Sequence, residues 1–159
     1  MKVKNSTPVD ISEIVEKLKS FIPHAQKYMG YDDHPNLNFI SDPENGEDIL
    51  GKTAFYDPAA REISIYVDGR HPKDMMRSIS HELVHHRQNC EGEFDRDDLD
   101  VGEGYAQRDE HLKEMERQAY EEGNMCFREW EDNLKTELSD HLAERYERIY
   151  ERLVQKLLK

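Results

Sequence analysis

The stretch from Pro72 to Asn89 can fold in few ways. Met75, Met76, Ile79, Leu83 and Val84 recur at three- and four-residue spacing, which predicts a helix over about 73–89 with one side that must be buried. Pro72 suits the first turn, where a missing N–H breaks no bond. Set among the apolar positions are His81, Glu82, His85 and His86, so three of the chain's eight histidines fall within six residues. Such a helix needs a core behind it and carries a row of imidazoles in front. The other segments have to supply that core.

Upstream, Val9, Ile11, Ile14, Val15, Leu18, Phe21 and Ile22 predict an N-terminal helix over about 9–29, with Asp10 or Ser12 to cap it and Gly30 to end it. A loop rich in Asp, Pro and Asn runs from Tyr31 to Asp48, with a short strand at Leu37–Ile40. Segments 51–56 and 62–67 predict a β-hairpin turning through Asp57–Arg61, where Pro58 presets φ. Ile63, Ile65 and Val67 alternate with Glu62, Ser64 and Tyr66, so one face of that arm is buried. If exposed as an edge, the same arm can hold an extended substrate by strand addition. Cys90 to Arg108 reads as an acidic loop, followed by helices over about 109–126 and 130–158. In the last helix Leu134, Leu138, Leu142, Ile149, Leu153 and Leu157 form a stripe that packs on the chain's own core or on another copy, so self-association is an expected contact. The expected class is α+β in one domain: a small antiparallel sheet or hairpin packed on the His-rich helix, followed by two further helices.

Composition removes several functions. The chain has 159 residues, and 22 Lys and Arg against 35 Asp and Glu leave a net charge of −13. Apolar and charged residues each make up 36%, which suffices for one modest core. No apolar run approaches the ~20 residues of a membrane span, and the first ten residues lack the pattern of a secretory signal. A pI near 5.0 means phosphate is repelled over most of the surface, so neither nucleic acid nor a membrane is an expected partner. Cys90 and Cys126, without a CxxC pattern, point to a reducing compartment and a cytoplasmic location.

The chemistry lies in the His-rich helix. Residues four apart have Cβ atoms about 5–6 Å apart on one helix face. One nitrogen each from His81 and His85 can then meet a Zn2+ at ~2.0–2.1 Å. Glu82 leaves the helix roughly 100° from His81 and can reach a water beside the ion without displacing it. Leu83 and Val84 face the core. Two ligands, a base and a buried back make the HExxH arrangement. Catalytic zinc takes three protein ligands and keeps one position open. The longer pattern HExxHxxGxxH is broken here by Gln88 and Glu91, which leaves Glu91 a minor candidate. The other source is a glutamate on a later helix. Glu116 lies 31 residues after His85 (116 − 85), and Ala119 beside it is small enough to let two helices approach. Glu114 and Glu110 compete on the same helix.

Several features read as ordinary structure. His86 leaves the ligand face and serves as a polar contact or a solvated side chain. Cys90 reads as a small buried residue. Asp95, Asp97, Asp98 and Asp100 read as a solvated loop, because counting from Asp95 puts Leu99, Asp100 and Ala106 where a calcium-binding EF-hand loop needs an oxygen ligand, Gly and Glu.

The run HELVHH at 81–86, the preceding ISIYV at 63–67 and the later Glu116-x-x-Ala119-Tyr120 resemble a small gluzincin-type zinc metallopeptidase, similar to minimal gluzincins, phage-encoded peptidases and IrrE-like peptidases. The resemblance covers about 52–124. It implies a zincin-like core, one Zn2+ per chain and a peptide or protein substrate, with His81, His85 and Glu116 as ligands and Glu82 as general base. Larger gluzincins carry an acid four residues after the ligand glutamate to hold a histidine's outer nitrogen. Here Tyr120 stands there, and its hydroxyl is a candidate for that role. A tetrahedral oxyanion needs a second donor, for which Tyr105, His111, Tyr120 and His86 are candidates. The expected function is peptide hydrolysis in the cytoplasm, that of the host for a phage product. The alternative is a catalytically silent protein of the same fold whose metal is structural.

Overall fold

The computed structural model describes residues 1–94 and 104–158, the side chains of 104–109 excepted. In order the elements are β1 (Val3–Asn5), α1 (Ser12–Met29), β2 (Asn36–Ile40), α2 (Pro43–Glu47), β3 (Ala54–Asp57), β4 (Glu62–Tyr66), α3 (Pro72–Cys90) and α4 (Gly104–Leu157). Among the described residues the class is α+β: a mixed four-stranded sheet and four helices. The chain divides into two units, Met1–Phe127 and Arg128–Lys159. The first holds the sheet, α1 to α3 and the start of α4. The second is the rest of α4.

The sheet order is β1-β2-β4-β3. The β3–β4 hairpin is antiparallel, as its turn requires, with Ala54 opposite Ile65 and Tyr56 opposite Ile63. The sheet as a whole departs from the antiparallel expectation, because β1 pairs parallel with β2 and β2 parallel with β4. A parallel pair needs a crossover, and α1 supplies it between β1 and β2. Pairing alone makes β1 a strand, since its three residues are exposed and lack periodicity. The arm Glu62–Tyr66 is therefore internal, and β3, not β4, is the sheet edge beside it. Ile63 and Ile65 are fully buried, as alternation predicts, and Ser64 is buried as well.

In α1, Ile14, Leu18, Phe21, Ile22, Ala25 and Met29 are buried on one side. The Asp10 carboxylate accepts from the Ser12 N–H (2.9 Å), and Gly30 closes the helix at φ 81°, a conformation that suits residues without a Cβ. In α3, His71 caps the Lys73 N–H and Pro72 occupies the first position. The unexpected α2 forms because Asp42 accepts from the Asn45 N–H (3.2 Å) and Pro43 starts the turn. α3 packs against α1 on one side and the β3–β4 hairpin on another, with Met76, Ile79, Leu83 and Val84 buried between them. The helices expected at 109–126 and 130–158 are one element, α4, because 124–130 holds neither Gly nor Pro to break it. No helix among the described residues is long and apolar enough to cross a membrane.

Candidate metal centre

The start of α4 lies close to α3 because its facing residues are small. A Cβ added to Gly123 would sit 3.0 Å from His81 Cα, and Ala119 is fully buried. The Ser80 hydroxyl donates to the Gly123 carbonyl (2.7 Å) across this seam. Glu116 is seven residues before Gly123, nearly two helical turns, so it shares that face and is carried to the imidazoles.

There His81, His85 and Glu116 converge, each with a donor atom within 4.8 Å of the others. His81 Nε2 lies 3.2 Å from one Glu116 oxygen and His85 Nε2 3.0 Å from the other. The imidazole rings stand 5.0 Å apart at 74°. Burial and the neighbouring His85 both lower the His81 pKa, against the pull of Glu116.

Gln88 fixes what His85 presents. Its amide nitrogen donates to the Met115 carbonyl (3.0 Å) and the Gln118 side-chain oxygen (3.2 Å), so its own oxygen faces His85 Nδ1 at 2.8 Å. An amide oxygen only accepts, so Nδ1 carries the proton and Nε2 keeps its lone pair. That lone pair points at a carboxylate oxygen. Two acceptors at 3.0 Å repel unless a cation or a proton joins them, and the nitrogen is already in the metal-binding tautomer. The donor set therefore fits a divalent ion with N and O ligands.

The adjacent His86 has the opposite tautomer. Its Nε2–H donates to the Asp33 carbonyl (2.5 Å), and its Nδ1 accepts from the Tyr56 hydroxyl (2.9 Å). Both nitrogens are occupied and the ring is fully buried, which makes it a polar contact behind the metal face and neither a ligand nor an oxyanion donor. Burial lowers its pKa. Cys90 is exposed, contrary to expectation, with Sγ 3.6 Å from His86 Nε2 at the last turn of α3.

Glu82 is 8% exposed, and burial followed by the Glu116 charge pushes its pKa up to about 7. Two hollows meet there. One of ≈ 500 Å³ is bordered by Lys52, Arg77, His81, Tyr120 and Asn124. The other, of ≈ 300 Å³, is bordered by Phe55, Tyr56, His85 and Phe94. Ala54 of β3, Glu82 and Glu116 border both, so the edge strand runs past the site.

The remaining candidates separate by geometry. Glu114 is held by Arg117 (2.6 and 2.9 Å), which lowers its pKa to about 2. Glu110 pairs with Lys113 (3.6 Å) and Glu91 with Arg87 (3.8 Å), both exposed. His111 pairs with Glu93 (3.1 Å) and borders neither hollow. The Tyr120 ring stands edge-on to His81 (4.8 Å, 76°), and among the described residues its hydroxyl makes no hydrogen bond, so it does not hold a histidine's outer nitrogen. The Tyr105 side chain and the acidic run Asp95 to Asp100 lie outside the described residues. Sequence reasoning missed Gln88 and Gly123. Their signals were spacing: Gln88 is three residues after His85 on its helix, and Gly123 seven after Glu116. Compared with protein-family models, curated proteins and solved structures, the chain matches none.

Proposed function

We propose that this chain is a zinc-dependent metallopeptidase of the gluzincin type, with a zincin-like core, one Zn2+ per chain and a peptide or protein substrate. The observation that carries the reading is the convergence of His81, His85 and Glu116 beside a buried Glu82 where two hollows meet. The imidazole Nε2 atoms and the Glu116 carboxylate would hold the ion. Bound there, zinc supplies a Lewis acid that acidifies water and polarises a carbonyl.

The chain's own residues do the rest. Glu82 takes a proton from the attacking water and delivers it to the leaving amine nitrogen. β3, at the sheet edge, aligns an extended segment by backbone pairing. Hollows on both sides of Glu82 accept chain in both directions, which favours cleavage within a peptide. Tyr120, which borders the larger hollow, supplies a hydroxyl donor for the oxyanion. Neither Cys90 nor Cys126 is in a disulfide, which is consistent with work in a reducing cytoplasm, that of a host cell for a phage product.

The alternative is a silent protein of this fold with a structural metal. A carboxylate buried at the cleft beside the ligands has no use in such a site. Incubation of the purified chain with unfolded peptides, with and without a chelator, is the test. Glu82→Gln should keep stoichiometric zinc and lose about 10²–10⁴-fold in rate. Zinc binding without chelator-sensitive cleavage by the parent chain would establish the silent alternative.

A further inference from the structure

The second unit carries a feature the peptidase reading does not use. Leu134, Leu138, Leu142, Ile149, Leu153 and Leu157 are each between 39% and 86% exposed. They span 24 residues of helix, about 36 Å, and at 100° per residue fall within an arc of about 140°. A hollow at mid-stripe is bordered by Leu142, Arg145, Tyr146 and Ile149. A continuous aliphatic stripe in water marks an interaction surface.

Spacing and charge name the occupant. The six positions are separated by four, four, seven, four and four residues, so the stripe reads the same from either end. Reversed on a second copy, Leu134 meets Leu157, Leu138 meets Leu153 and Leu142 meets Ile149. The parallel alignment also matches apolar with apolar, so charge decides. Over 129–140 the helix carries Glu129, Glu131, Asp132, Glu137 and Asp140 against Lys135. Over 141–158 it carries Arg145, Arg148, Arg152 and Lys156 against Glu144, Glu147 and Glu151. Arg145, Arg152 and Lys156 lie within about 80° of Leu142, whereas those three glutamates lie about 140° or more away. Parallel pairing sets the three cations of one copy against those of the other. Antiparallel pairing opposes residues whose numbers sum to 291, so Arg152 leaves its counterpart for Ser139, Lys156 meets Lys135 and only Arg145 stays beside its own copy near the two-fold axis; fewer like charges face each other than in the parallel pair.

We propose that the stripe from Leu134 to Leu157 pairs antiparallel with the same stripe of a second copy, as a two-fold symmetric coiled-coil contact. Sedimentation of the full chain should give twice 18.8 kDa. Leu142→Glu with Ile149→Glu should return it to the monomer mass with helix content and zinc stoichiometry unchanged. If that variant misfolds, Leu142→Ala with Ile149→Ala keeps helix propensity, removes the central apolar contact and should weaken pairing at least tenfold. Orientation is read in a Cys90→Ser background. Leu138→Cys mixed with Leu153→Cys should crosslink between the two variants, and neither should crosslink alone. A chain monomeric at all concentrations, or dimers that survive both sets of substitutions, overturns the proposal. Crosslinking of Leu138→Cys with itself establishes a parallel pair and overturns the antiparallel one.

Discussion

The two units invert each other. The first buries polar side chains: Ser80, His86 and Gln88 are essentially inaccessible, and each is bonded to a named partner. The second exposes large aliphatic ones. A buried polar group is tolerated only when its bonds are made, and once made they admit one arrangement. The face that carries His81 and His85 is thus held by bonds within the chain itself. An exposed aliphatic stripe specifies nothing until another surface covers it. Polar order inside leaves nothing for a partner to complete, whereas apolar order outside leaves surface that one can cover.

The strongest way to break this contrast is to remove a ligand. Glu116→Ala should abolish stoichiometric zinc, whereas Glu110→Ala and Glu114→Ala should leave zinc content at the parental value, because those carboxylates pair with Lys113 and Arg117. Elemental analysis after growth in limiting metal decides. Zinc retained in Glu116→Ala would mean that the convergence of the three side chains is incidental.

Next is the cost of burying Glu82 without a metal. Its carboxyl is raised from 4.5 to about 7 in the folded chain, so the folded state holds the proton more tightly. That contribution is complete below about pH 4.5 and is lost as pH rises through about 7. At about 1.36 kcal/mol per pH unit, a rise from 4.5 to about 7 amounts to about 3 kcal/mol. Metal-free Glu82→Gln should therefore be more stable than the metal-free parent by about 3 kcal/mol at pH 8, and the gap should close near pH 4. The lowered His81 pKa acts oppositely, with stability lost as pH falls, and it is common to both proteins. Urea titrations across pH measure the difference, and a gap independent of pH would show that the Glu82 charge is not desolvated.

Gln88→Leu sharpens the contrast further. It leaves the His85 Nδ1–H without a partner, takes from the Met115 carbonyl the donor it has besides its own helix, and frees the imidazole to turn. Zinc affinity should fall by about 10–100-fold, as for other outer partners of ligand histidines. The nitrogen shifts of His85 should change from a single Nδ1–H tautomer to a mixture. Unchanged affinity would place the control of His85 elsewhere.

Gln88 also shows where sequence reasoning stops. The α1 and α3 helices, the hairpin and the His81–Glu82–His85 row are local patterns, written in three-, four- and two-residue periods and in Pro72 and Gly30. Glu116 was legible as one of four candidates, because a glutamate on a charged helix is ordinary until the facing helix is known. The parallel β2–β4 pairing joins residues more than twenty apart and leaves no local trace. Gln88 reads as a failed glycine of another motif until Met115 and Gln118 are brought to it. The break expected near 126–130 is absent because the residues there include no breaker.

The smallest effect tests the seam itself. Gly123→Ala gains up to about 1 kcal/mol of helix propensity. Against this, the new methyl meets His81 Cα at 3.0 Å, His81 N at 3.2 Å and the Ser80 carbonyl carbon at 3.3 Å, all backbone of α3 that cannot turn aside. Relief requires the helices to part by a few tenths of an ångström, which lengthens the reach of Glu116 on the same face. Stability should change by less than about 1 kcal/mol because the two terms oppose each other, while zinc affinity falls several-fold. Ser139→Ala, on an exposed stretch of the second unit, supplies the propensity gain alone and should raise helix stability with zinc affinity unchanged. If Gly123→Ala behaves like Ser139→Ala in both measurements, the close approach of α4 to α3 does not set the position of the third ligand.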